Sequence, residues 1–121
     1  MENYQAWAEE TLKKVREKMA WVSEKNKNII PYTTDENGNY DDRSAEDKEW
    51  NHDDGLNWWT TGFWGGIMWL LYQDTKEEKY ADIARNSEKK MEKCFESYLG
   101  LHHDVGFMYL PTAGADFRLT G

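Results

Sequence analysis

The chain has 121 residues, with 15 Lys and Arg against 23 Asp and Glu and a formal net charge of -8. That length holds one domain at most, and the acidic balance argues against a nucleic-acid protein, which needs a basic patch. Seven Trp, seven Tyr and four Phe demand burial and exclude disorder. No run approaches the roughly 18 apolar residues of a membrane span, and the single Cys, Cys94, excludes a disulfide framework and a multi-cysteine metal site.

The chain opens Met1-Glu2-Asn3-Tyr4-Gln5-Ala6-Trp7, without a basic stretch followed by an apolar one. With one cysteine expected to be reduced, the expected compartment is the cytoplasm. Residues 4–24 read as a helix, because Ala8, Leu12, Val15, Met19 and Val22 recur at spacings that make one apolar stripe. Pro31 lies beyond its end.

Residues 33–57 read as a long polar loop, a kind of segment that is usually functional or disordered. Asp35, Asn37 and Asn39 imitate the start of a calcium loop, but Tyr40 stands where that loop requires glycine. His52-Asp53-Asp54 adds an acidic cluster with no spacing that demands a role.

Residues 59–74 are apolar almost all round and predict a helix buried on most sides. Gly62, Gly65 and Gly66 weaken that helix, so another backbone or a ligand should approach there. Residues 77–98 predict an amphipathic helix with Tyr80, Ile83, Ala84, Ser87, Met91, Cys94, Phe95 and Tyr98 inside. Thr75 is its expected N-cap and Gly100 its C-terminal stop. A last helix, about 106–119, should turn Phe107, Leu110, Ala113 or Gly114, and Phe117 inward, with Pro111 in its first turns. Strand signals are weak throughout, so the expected class is all-α, arranged as two helical hairpins in a single unit covering 1–121. The apolar faces do not close on one another. The chain then reads as the N-terminal part of a larger protein, or as an oligomer that buries the excess against its own copies.

Two constellations could carry chemistry. The first is Trp58-Trp59-Thr60-Thr61-Gly62-Phe63-Trp64, within a run of five Trp at 50, 58, 59, 64 and 69. Flat rings stack on the C–H faces of a sugar, although any one aromatic can equally be core packing. The second is Leu101-His102-His103-Asp104-Val105-Gly106-Phe107, on the turn between two helices. His beside Asp can bind a metal or move a proton. Asp104 can equally cap the last helix. Zinc fits poorly, because adjacent His102 and His103 do not easily share a metal. No metal and no cofactor is expected.

Together these stretches resemble glycoside hydrolase family 88, the unsaturated glucuronyl hydrolases. The resemblance rests on Trp59 to Gly66, Trp69 to Tyr72, His102 to Tyr109 and the tail Ala115 to Gly121, with His-His-Asp-x-Gly-Phe its most specific part. Thr61 departs from the pattern, where Asn is common. The resemblance implies N-terminal helical hairpins of an (α/α)6 barrel, incomplete within this chain. It implies an enzyme that removes 4,5-unsaturated glucuronic acid from the non-reducing end of lyase-generated oligosaccharides, as in glycosaminoglycan degradation. It matches Asp104 to a catalytic aspartate, and His103 and Trp59 to residues lining the sugar site. The second aspartate belongs to a later motif, so the rest of the barrel or another chain is needed to complete the site. The alternatives are a non-catalytic helical sugar-binding module and a related unsaturated rhamnogalacturonyl hydrolase. The expected partner is an unsaturated uronyl oligosaccharide, with no nucleic acid and no membrane.

Overall fold

The computed structural model describes residues 2–45, 55–98 and 100–121, and Trp50 and the His52-Asp53-Asp54 cluster fall outside them. In chain order the elements are α1 (Glu2–Lys25), β1 (Pro31–Thr34), β2 (Tyr40–Asp42), a 3₁₀ turn (Trp59–Thr61), α2 (Gly62–Thr75), α3 (Glu78–Ser97), α4 (Val105–Tyr109) and α5 (Ala113–Thr120). The fold is predominantly helical, as expected. No helix among the described residues is long and apolar enough to cross a membrane.

α2 and α3 form the centre of the fold. α2 ends on Lys76 in the left-handed region at φ 59°, and α3 begins two residues later. Such a short link folds the two helices against each other. Thr75 is the last residue of α2 rather than the N-cap of α3: its hydroxyl donates to the Leu71 carbonyl at 2.8 Å and accepts the Glu77 N–H at 3.2 Å. The main core joins Trp64, Met68, Trp69 and Leu71 of α2 to Tyr80, Ile83 and Ala84 of α3. A second cluster of Ile30, Leu56, Met91, Cys94 and Met108 lies beside it. Its thiol is inert packing, since burial pushes the Cys94 pKa up to about 11. The expected inner face of α3 is buried from Tyr80 to Cys94. Phe95 and Tyr98 are 54% and 70% exposed, and Tyr98, at φ 55°, ends the helix two residues before Gly100.

The three glycines do what their positions suggested. A Cβ on Gly62 would lie 2.4 Å from the Met108 carbonyl and 2.5 Å from that of Phe107. One on Gly65 would meet Thr112, and one on Gly66 would meet Pro111. Backbone of α4 comes close at Gly62, and side chains of the α4–α5 junction come close at Gly65 and Gly66.

That junction corrects the expectation of one last helix. Pro111 has no N–H to give the Phe107 carbonyl, so the ladder breaks there. Thr112 Oγ1 takes the Met108 carbonyl at 2.6 Å, and a new helix starts at Ala113. The inward face is also reversed. Met108, Thr112 and Ala115 are buried, whereas Phe107, Leu110 and Phe117 are 51%, 65% and 74% exposed. The reason is steric: α2 presents glycines to this segment, and small or unbranched residues let the backbones close up on them.

α1 departs from its predicted packing as well. Only Met19 and Val22 of its stripe pack on the core, and Ala8, Leu12 and Val15 face solvent. A bidentate ion pair holds the helix to α2, with Arg16 Nε and Nη2 at 2.6 and 2.5 Å from the Asp74 carboxylate.

The 33–57 stretch is not all loop. β1 and β2 pair antiparallel, with Pro31 opposite Asp42, Thr34 opposite Tyr40 and a one-residue irregularity between. Gly38 at φ 77° makes the turn. Asp35 Oδ1 accepts the N–H groups of Asn37 and Asn39 at 2.9 and 2.8 Å, and these bonds hold the Asp35 carboxyl below its usual range. The would-be calcium ligand is thus committed to its own turn.

Candidate functional site

The chain leaves α3 through Tyr98 and Gly100, both in the left-handed region. Gly100 is required here, because a Cβ would fall 2.3 Å from Asn57 Nδ2. Buried Asn57 donates to the Gly100 carbonyl at 3.3 Å. This contact ties the His-His-Asp turn to the residues that enter the 3₁₀ turn. The two constellations, over forty positions apart in sequence, thereby become neighbours.

They meet ring to ring. Trp59 lies 5.5 Å from Phe63 and 5.6 Å from Phe107 between ring centroids, both edge-on, and Phe63 lies 6.4 Å from Phe107. Trp58 adds a fourth ring 6.4 Å from Trp59. Phe107 stands three residues after Asp104, one helical turn away. A cavity of about 480 Å³ opens beside the rings, lined by Phe63, His103, Gly106, Phe107 and Arg118 among others. A second, about 650 Å³, shares Phe63, Pro111 and Arg118 with it and runs between α2 and α5.

Asp104 stands at the N-terminal boundary of α4, yet its side chain makes no capping bond. Only its carbonyl serves the helix, accepting the Phe107 N–H at 2.9 Å. The capping alternative is therefore not what the carboxylate does. Its Oδ2 lies 3.4 Å from His103 Nε2 and 3.8 Å from His102 Nδ1, and the Asp104 N–H donates to His102 Nδ1 at 3.2 Å. The Asp104 side chain is 30% exposed and that of His103 88%. One ligand atom from each of His102, His103 and Asp104 falls within 4.8 Å of the others, so adjacency in sequence does not by itself keep these three apart. The geometry suits a histidine that orients a carboxylate or donates a hydrogen bond beside it.

The sequence groups five tryptophans, and the structure divides the four that lie among the described residues. Trp64 and Trp69 are core residues at 6% and 1% exposure, and Trp69 Nε1 donates to Glu88 Oε1 at 2.7 Å. Trp58 and Trp59 are half-buried at the site. Phe63 and Phe107 complete the ring cluster. Each belongs to one of the two constellations as well as to an apolar helix face, and the structure puts both at the site.

A half-exposed aromatic platform beside a carboxylate, on a helical scaffold, is an arrangement suited to a carbohydrate ring. Comparison with known proteins points the same way. The chain is 36% identical over 64 residues to the unsaturated chondroitin disaccharide hydrolase of Streptococcus agalactiae, a match covering 52% of this chain and 16% of that protein. It is 38% identical over 60 residues to the unsaturated glucuronyl hydrolase of Bacillus sp. strain GL1, covering 49% of this chain and 16% of the relative. The unsaturated chondroitin disaccharide hydrolase of Streptococcus pneumoniae is 33% identical over 64 residues, with 52% and 16% covered. Over the half of the chain that matches, the resemblance to the unsaturated glucuronyl hydrolases of family 88 holds. The matched stretch spans about a sixth of the length of these relatives. No family model matches the chain, and no solved structure matches it.

Proposed function

We propose that this chain forms one wall of the active site of a hydrolase that removes 4,5-unsaturated glucuronic acid from lyase-generated oligosaccharides. The observation that carries this reading is the Trp59–Phe63–Phe107 cluster with His103 and Asp104 at its edge. The printed names of the matching relatives support the same chemistry.

In this reading the sugar ring stacks on Trp59 and His103 donates to its polar groups. The reaction hydrates the vinyl ether. A proton goes to C4, water gives its hydroxyl to C5, and the resulting hemiketal opens with release of the neighbouring sugar. A donor for that proton must stay protonated near neutrality, which a second carboxylate and desolvation favour. Asp104 supplies one carboxylate, holding the water or tuning its partner, in a variation on two-carboxylate glycosidase logic. The partner carboxylate comes from outside these 121 residues. A net charge of -8 does not draw in an anionic sugar, so recognition is local. The reducing compartment expected for the lone Cys94 is the cytoplasm.

The test follows the ultraviolet absorbance of the unsaturated ring in a lyase-derived disaccharide. The 121-residue chain alone is expected to be inactive, and clear turnover by it would refute the split site. In a version of relatives' length, Asp104→Asn is expected to abolish turnover while the helical circular dichroism is retained. Binding without turnover in that version would favour the non-catalytic sugar-binding module instead. Faster turnover of an unsaturated rhamnogalacturonyl disaccharide would move the assignment to that related activity.

A further inference from the structure

Among the described residues of this acidic chain, one cation is almost wholly withdrawn from solvent: Arg43, 4% exposed. It follows β2 directly, and its N–H donates to the Ile30 carbonyl at 2.9 Å. The hairpin thereby turns its side chain back over β1. The guanidinium carbon lies 3.5 Å from the Tyr32 ring centroid and 5.8 Å from that of Trp58. A planar, weakly hydrated guanidinium suits this position between two rings, whereas an ammonium would lose the stacking.

Trp58 is the link to the site, because its ring lies 6.4 Å from that of Trp59 at an interplanar angle of 52°. Its indole N–H is buried and finds no hydrogen-bond acceptor among the described residues. Leaving such a donor without an acceptor is unfavourable. Hydrogen bonding of the indole therefore does not explain how the Trp58 ring is held, and its ring contacts among the described residues are Trp59 on one side and the Arg43 guanidinium across its face.

We propose that Arg43 is a positioning residue for the Trp59 platform. Tyr32 stacks on Arg43, Arg43 holds Trp58, and Trp58 sets the plane of Trp59 against Phe63 and Phe107. The small hairpin then has a purpose in the site, as the element that delivers a buried cation to its base. Any consequence for a sugar substrate rests on the reading of Trp59 as a sugar platform, and the contact chain itself does not.

The test labels the 121-residue chain with 5-fluorotryptophan and assigns each fluorine resonance by single Trp→Phe substitutions. Arg43→Gln is expected to shift the Trp58 and Trp59 resonances and leave Trp64 and Trp69 in place. Arg43→Lys, which keeps the charge, is expected to return them part of the way. An unmoved Trp59 resonance in Arg43→Gln would overturn the proposal, and so would equal shifts at all four. If Arg43→Gln does not fold, Tyr32→Leu removes the clamp from its other side. Selective shifts of Trp58 and Trp59 there support the proposal, and their constancy overturns it. The sugar reading is tested apart from this, by whether the Trp59 resonance of a version of relatives' length responds to an unsaturated disaccharide.

Discussion

Gly62→Ala tests the packing that builds the site. Gly62 opens α2 where the carbonyls of Phe107 and Met108 cross it, and a Cβ there would lie 2.4 to 2.7 Å from three backbone atoms of α4. Helix propensity alone favours alanine by about 1 kcal/mol. Against it stands overpacking, which costs about 1–3 kcal/mol even where flexible side chains can yield. Here the obstacle is backbone, so α4 must retreat by about 1 Å, and a gap of that size forfeits a large part of each contact it opens. The net expectation is a loss of about 2 kcal/mol, or a fall in melting temperature of roughly 8 °C for a chain of this size. Gly106→Ala is the control. Its Cβ would meet only Leu110 Cδ1, at an ordinary 3.6 Å. Propensity then acts alone, and stability should rise by about 0.5 kcal/mol. Urea midpoints and thermal melts measure both. A Gly62→Ala chain as stable as the parent, or two variants that move in the same direction, would refute the close-approach argument.

Two further outcomes follow from the charges. Burial raises the pKa of Glu88 above the ordinary carboxylate range, opposed by its bond from Trp69 and reinforced by Asp116. The folded chain therefore keeps this proton longer than the unfolded one, and stability is lost as pH rises from the ordinary Glu range through the raised folded value. Glu88→Gln keeps an acceptor for Trp69 without the charge, so its advantage over the parent should grow between pH 4 and pH 8. A difference in urea midpoint that is constant across that range would count against this reading. Arg16→Ala should release α1 while the α2–α3 pair stays intact, seen as faster amide exchange confined to 2–25. Asp74 is held below its usual range by Arg16, so the parent should lose the same anchor only as pH falls from the ordinary Asp range through that lowered folded value. Unchanged protection of α1 in Arg16→Ala would show that Met19 and Val22 suffice.

Helix positions were legible because apolar spacing and glycine placement are local signals. α3 kept most of its predicted face, and the α2 glycines found α4 backbone at Gly62 and the Thr112 and Pro111 side chains at Gly65 and Gly66. Which face of a helix turns inward is not local. The segment 105–120 carries two apolar stripes, one of large rings and one through Met108, Thr112 and Ala115. Ring size favours the first, but the flat glycine surface of α2 accepts the second. The hairpin was missed for a different reason. Strands of four and three residues are too short for an alternating pattern to show, although Asn37-Gly38 carried the turn signal. Arg43 was missed with it. An arginine in a polar stretch reads as solvated, and only pairing of β1 with β2 turns it onto Tyr32.

The rings that form the platform also explain why the apolar faces did not close. Phe63, Ile67 and Leu70 stand at successive turns of α2, on the face next to the core stripe of Trp64, Met68 and Leu71, and they are 40%, 42% and 66% exposed. α3 satisfies one face of α2, and this second face borders the groove that reaches the ring cluster through Phe63. Exposed apolar area of this kind is unfavourable by about 25 cal/mol for each Å² left in water. Any segment that covered it would reach Phe63, whose ring is in edge contact with Trp59 and Phe107. The element proposed to bring the second carboxylate has this apolar face to dock on, so completing the core and completing the site would be one event.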